Sequence, residues 1–188
     1  GQNPVYEDVA SDRWGYARGD VTDGLPFPDR SFECVIAGEI IEHVPNPDAL
    51  LREIRRVLVP GGILVLSTPN MVSWANRVLV PFGVQPLGTE TSSEIALGRR
   101  HRILGQGNQV QGHLKVFTFR ALAEILERYG FTVQHREGVP AFFPKPIDKF
   151  DRFISRKMLS LASGLLYVAR SPLGDWPTPP AGRRHEVF

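Results

Sequence analysis

The chain has 188 residues, a net charge of +2, 42% apolar residues and a single cysteine. That length suits one domain with an ordinary globular core. The small net charge gives no global nucleic-acid signature, so no nucleic-acid partner is expected; the lone cysteine excludes an intrachain disulfide and predicts a reducing, cytoplasmic setting. The longest uncharged apolar run, Met158 to Ala169, is too short to span a bilayer, and no signal-peptide pattern opens the sequence.

Gly1 to Arg13 is polar and carries no buried-strand pattern. Trp14 to Asp20 alternates weakly, as a short strand would, and runs into Gly19-Asp20-Val21. Pro28-Asp29-Arg30-Ser31 is a tight polar turn. Phe32 to Ala37 is an apolar run of buried-strand length, which makes Cys34 a buried small hydrophobe. An acidic corner follows, Gly38-Glu39-Ile40-Ile41-Glu42-His43. Asn46 is placed to cap a helix whose first position is Pro47. Leu50, Leu51, Ile54, Val57 and Leu58 share one face of it, and Pro60-Gly61-Gly62 ends it. Ile63 to Ser67 is a second buried strand, closing in Thr68-Pro69-Asn70. Strand, crossover helix and strand make a parallel, right-handed βαβ unit.

Met71 to Phe82 fits a short helix, after which Pro81, Gly83, Pro86 and Gly88 break the pattern. A departure as long as 71–112 reads as a lid over a substrate or as a disordered segment. Ile95 to Ala123 holds no acidic residue but has Arg99, Arg100, Arg102, Lys115 and Arg120 with His101 and His113. That bias favours an anionic partner; a solvated basic loop is the other reading. Thr118 caps a helix with Leu122, Ile125, Leu126 and Tyr129 inward, ended by Gly130. Phe131 to Glu137 alternates as a strand. Val139 to Pro146 is a proline-broken loop whose Phe142 and Phe143 suit the edge of a pocket. Asp148 to Leu161 reads as an amphipathic helix with Phe150, Phe153, Ile154, Met158 and Leu161 on one side, docked on the protein; a membrane contact is the weaker alternative. Leu165 to Ala169 is a last strand, and 171–188 is a proline- and charge-rich tail expected to be disordered.

Gly19-Asp20, then Leu25-Pro26-Phe27-Pro28-Asp29-Arg30-Ser31-Phe32-Glu33, then Glu39 to Val44, then Leu51 to Gly62 recur in this order in one family. From about Trp14 to about Arg170 the chain resembles class I S-adenosylmethionine-dependent methyltransferases. The resemblance implies an α/β domain over 1–170, with a Rossmann-like, open, mostly parallel sheet and helices on both faces. It also implies that the first strands are lacking. The family's glycine-rich D-x-G-x-G-x-G turn has no counterpart here, nor has the second strand that ends in an acidic residue. In that sheet the first two strands lie between the third and the fourth, so Trp14 to Arg18, taken as the third, would lose its neighbours. The expectation is a missing N-terminal segment, or a partner chain, such as a second copy in a homodimer, that supplies the pairing.

In open α/β sheets ligands bind beyond the carboxyl ends of strands. The resemblance implies cofactor contacts from Gly19, Asp20 and Val21, with Asp20 accepting from the adenine amine, and from Gly38, Glu39 and Ile40. If the corner is helical, Glu39, Glu42 and His43 share one face, and two carboxylates with an imidazole could bind a divalent cation. The E-x-x-E-H string is similar to that of ubiquinone-pathway and small-RNA methyltransferases, in some of which it holds a magnesium-type ion together with a later histidine. His113 stands where that histidine would be, giving Glu39, Glu42, His43 and His113 as a Mg2+ set. Otherwise Glu39, His43 or His113 serves as a general base or orients the substrate, or His43 packs under a helix and Glu42 is a solvated or capping side chain. The function implied is methyl transfer from S-adenosylmethionine to a small hydroxylated or anionic molecule, by O-methylation. The alternative is a non-catalytic methyltransferase-like module, or an inactive fragment that needs a partner chain.

Overall fold

The computed structural model describes residues 15, 17, 19–21, 23–98 and 110–174. Among these residues four strands form one sheet: β1 Phe32–Gly38, β2 Leu58–Pro69, β3 Thr132–Val139 and β4 Gly164–Arg170. Their spatial order is β1-β2-β4-β3. β1 and β2 are parallel, and β4 is antiparallel to both β2 and β3, so three strands run one way and β4 runs against them. The helices are α1 Pro47–Val57, α2 Trp74–Leu79, α3 Phe119–Arg128 and α4 Ile147–Lys157.

Local chemistry explains most boundaries. The Asn46 side chain accepts the Ala49 N–H at 3.0 Å, and Pro47 follows at the first helical position. α1 then buries Leu50, Leu51, Ile54 and Val57. Thr118 caps α3 by accepting the Ala121 N–H, and Gly130, at φ 82°, turns the chain out of it. Pro60-Gly61-Gly62 does more than end a helix. β2 already begins at Leu58, and the β1–β2 register jumps from Phe32↔Leu58 to Cys34↔Ile63. The intervening residues bulge, with Gly61 at φ 75°, and a β-carbon on Gly62 would sit 3.1 Å from the Glu33 carbonyl.

One sheet face carries Ala37, Leu64, Leu66, Leu165, Tyr167 and Ala169, all buried in a core shared with the inward residues of α1 and α3. The other face presents Cys34, Ile36, Ile63, Val65, Leu166 and Val168, which are partly or largely exposed. Cys34 is therefore not the buried hydrophobe expected: it is exposed, and its same-face neighbour Ile36 is 76% exposed. Strand length identified β1, but which face of it is covered depends on what packs there. The third strand expected over Trp14 to Arg18 falls largely outside the described residues, as do Arg99, Arg100, His101, Arg102 and most of the tail. No described helix is long and apolar enough to cross a membrane.

Candidate active site

The carboxyl ends of β1 and β2 meet at the acidic corner. Past Gly38 the chain turns through Glu39 at φ 50°, a left-handed conformation that a residue with a β-carbon adopts at a cost of about 1–2 kcal/mol. Two bonds to Ser67 hold it: the Glu39 N–H donates to the Ser67 carbonyl at 3.1 Å, and the Ser67 hydroxyl donates to Glu39 Oε1 at 2.7 Å. Burial raises the Glu39 carboxyl above the ordinary glutamate value. The Ser67 hydrogen bond pulls it back, the Glu42 carboxylate raises it further, and His113 lowers it.

The expected helix at the corner is a single turn closed by the His43 N–H on the Ile40 carbonyl. Its residues nonetheless converge. Glu42 is 1% exposed, so the solvated or capping side chain is overturned. Glu42 Oε2 accepts from the Thr68 hydroxyl at 3.0 Å, whereas Oε1 is buried with no hydrogen-bond partner. The Glu42 carbonyl accepts the N–H groups of Leu114 and Lys115, and this draws His113 into the corner. The imidazoles of His43 and His113 lie 4.8 Å apart. His43 Nδ1 faces the Gly112 carbonyl at 3.2 Å and His113 Nδ1 faces the Gly88 carbonyl at 2.9 Å. A carbonyl can only accept, so each Nδ1 carries a proton, and in the neutral imidazole Nε2 is the nitrogen left to bind a cation. His43 Nε2 is 3.8 Å from the orphaned Glu42 Oε1, and one donor atom each from Glu42, His43 and His113 fall within 4.8 Å of one another.

Beside this cluster a cavity of about 190 Å³ opens between Glu39, Asn70, Ser73 and His113 on the polar side and Phe142 and Phe143 on the other. Asn70 is fixed by its amide on the Ala162 carbonyl, and Ser73 caps α2. Asp151, fully buried on α4, ties the walls together by accepting from Trp74 Nε1 and the Ala141 N–H, both at 2.7 Å, and from the Ser163 hydroxyl. A larger hollow of about 340 Å³ lies at the opposite end of the sheet, by Leu58 and Pro60, under Arg52, Arg55 and Arg56. The smaller cavity is the better site because it adjoins the strand carboxyl ends, where ligands of open α/β sheets bind.

A family model described as a methyltransferase domain matches residues 4–136. The chain belongs to the methyltransferase-domain family. It is 30% identical over 148 residues to a Mycolicibacterium smegmatis protein named "Probable S-adenosylmethionine-dependent methyltransferase", a match covering 75% of this chain and 55% of the relative. It is 47% identical over 53 residues to a Listeria monocytogenes demethylmenaquinone methyltransferase, covering 27% of this chain and 22% of that one. Among solved structures, a chain of the Haloferax volcanii complex between the Trm112 methyltransferase activator and a methyltransferase superposes with a TM-score of 0.56 at 15% identity. That superposition covers 89% of this chain and 65% of the other. The chain thus spans about half the length of its Mycolicibacterium relative.

Within this methyltransferase domain, the expected residues divide. Glu42, His43 and His113 gather, but Glu39 turns its carboxylate to Ser67 instead of joining them. Gly38 is exposed at the strand end, and Ile40 packs against the core. Gly19 and Asp20 are exposed in a turn closed by the Asp23 N–H on the Asp20 carbonyl; Val21 packs on the core, and none of the three lines the cavity. Sequence reasoning missed Ser67, Thr68, Ser73 and Asp151. The polar Ser67-Thr68-Pro69-Asn70 run that breaks an apolar strand was the available signal for the first two. The donor set fits a divalent cation, since a buried carboxylate oxygen without a partner faces imidazole nitrogens whose other ring nitrogens are tied to carbonyls. Two imidazoles and one carboxylate suit a manganese- or zinc-type ion better than the all-oxygen shell that magnesium prefers.

Proposed function

We propose that this chain carries the acceptor side of an S-adenosylmethionine-dependent methyltransferase that O-methylates a small hydroxylated molecule in the Glu39–His113–Phe143 cavity. The observation that carries the reading is the Glu39 carboxyl, raised from its ordinary value at the lining of a cavity beyond the ends of β1 and β2. S-adenosylmethionine supplies an electrophilic methyl, so the protein's task is alignment more than acid–base chemistry. The acceptor oxygen bonds to the methyl as the methyl–sulfur bond breaks, and the hydroxyl proton passes to Glu39. Ser67 fixes Glu39 for that transfer, and Phe142 and Phe143 hold the apolar part of the acceptor. Gly38 to Ile40 and the Gly19–Val21 turn are this chain's share of the cofactor contacts. Glu42, His43 and His113 would hold a divalent cation, which would supply Lewis-acid lowering of the pKa of an acceptor hydroxyl.

A second reading rests on one observation. β1 is an edge strand among the described residues, and its Cys34–Ile36 face is open. A module completed by another chain would expose such an edge until its partner arrived. Calorimetric titration with S-adenosylhomocysteine, with and without manganese, separates the two. Micromolar binding, together with methyl transfer to a phenol or hydroxy acid that Glu39→Gln abolishes, supports the enzyme reading. Absence of heat at millimolar ligand refutes it for this chain alone and supports the partner-dependent module.

A further inference from the structure

Helix α4 turns two polar side chains inward and two phenylalanines toward solvent. Asp151 and Ser155 face inward, whereas Phe150 and Phe153 are 50% and 61% exposed. The amphipathic pattern alone implied the opposite. Lys149, Arg152, Arg156 and Lys157 are exposed on the same helix, and its acids are Asp148 in the first turn and the buried Asp151. At helical spacing Phe150, Phe153 and Lys157 form one row, and Lys149, Arg152 and Arg156 form the row beside it. At the base of this face the Trp74 and Phe150 rings meet edge-on with centroids 5.0 Å apart, and Trp74 donates to Asp151. α2 meets the turn after α4 through Arg77, which donates to the Ser160 carbonyl. On the loop preceding α4, Phe142, at the rim of the cavity, is 99% exposed.

We propose that this face docks on an anionic lipid bilayer, with Phe150 and Phe153 at the acyl boundary and Lys149, Arg152, Arg156 and Lys157 among the headgroup phosphates. An acidic protein would match the four cations but leave Phe153 and the outer half of Phe150 against polar groups; a bilayer interface accommodates both. Phe142 then places the cavity mouth beside the membrane. The inference is independent of the methyl-transfer reading, because vesicle binding reports it without turnover.

The test is co-sedimentation of the full chain with phosphatidylcholine vesicles, with and without phosphatidylglycerol. Binding is expected to the anionic vesicles and not to the neutral ones, and to fall as salt rises. Phe150→Ser/Phe153→Ser and Arg152→Glu/Arg156→Glu should each weaken it at least about tenfold. These positions are exposed, and circular dichroism confirms the fold of each variant. Lack of binding to anionic vesicles at low salt overturns the proposal. So does binding that survives the phenylalanine double variant, which would leave charge alone responsible and point to an acidic macromolecule.

Discussion

Replacing Asp151 with alanine removes one carboxyl and strands three donors. Trp74 Nε1, the Ala141 N–H and the Ser163 hydroxyl all give to it, and Asp151 has no solvent exposure. Stranding buried donors costs about 1 kcal/mol each at the low end, which suits donors that are themselves only partly buried, so the loss is about 3 kcal/mol. For a chain of this size that corresponds to a fall in Tm of about 6–12 °C. Asp151→Asn keeps the shape and one acceptor oxygen. With that oxygen toward Trp74 and Ser163, its amide meets the Ala141 N–H, and about a third of the loss is expected. Urea unfolding followed by circular dichroism and by tryptophan fluorescence gives both numbers. Because Trp74 and Ala141 are fixed from the same carboxyl, the alanine variant should also bind cavity ligands more weakly at temperatures where it remains folded. A loss below about 1 kcal/mol for Asp151→Ala would mean that water satisfies these donors, and the role of Asp151 in joining the cavity walls would be refuted.

Gly138→Ala places a β-carbon over the Ser155 carbonyl oxygen and 2.5 Å from Ala162 Cβ, so β3 and α4 must part; a loss of about 3 kcal/mol or more is expected, seen as insoluble expression or early urea unfolding. Manganese or zinc should raise the wild-type Tm and should leave His113→Ala unmoved in a thermal-shift assay; equal shifts in both would place the ion elsewhere. The Glu53 carboxylate lies below the usual glutamate range because the Arg56 guanidinium bonds to it. Its folded value is depressed, so its contribution is complete above the unfolded pKa of about 4.3 and is lost as pH falls through the lower folded value. The stability gap between wild type and Glu53→Gln should therefore be present at neutral pH and close in strong acid. Asn46→Ala removes the cap on Ala49 and should cost about 1 kcal/mol in urea unfolding.

The sequence by itself determined the elements whose causes are local. Asn46-Pro47 starts α1, Thr118 and Gly130 bound α3, apolar runs of strand length became β1, β2 and β4, and the alternating run Phe131 to Glu137 became β3. The ordered Gly-Asp, acidic-corner and Leu51–Gly62 motifs were enough to indicate the family. His113 was found from the string it resembles, although 70 residues separate it from His43. Tertiary structure decided which faces those elements turn to what. Periodicity states which side chains share a face, and not whether that face meets a core, a polar wall or solvent. Cys34 and Ile36 share a strand face that is not packed, so an apolar run became an exposed one. On α4 the same ambiguity reversed the assignment: the wall it meets offers N–H and O–H donors from Trp74, Ala141 and Ser163, so Asp151 turns inward and Phe150 and Phe153 turn out. Glu42 lies one residue from an exposed histidine, yet it is buried because its carboxylate reaches Thr68 and its carbonyl takes the backbone of Leu114 and Lys115. Those contacts join residues far apart in the chain, and only folding brings their hydrogen-bonding needs together.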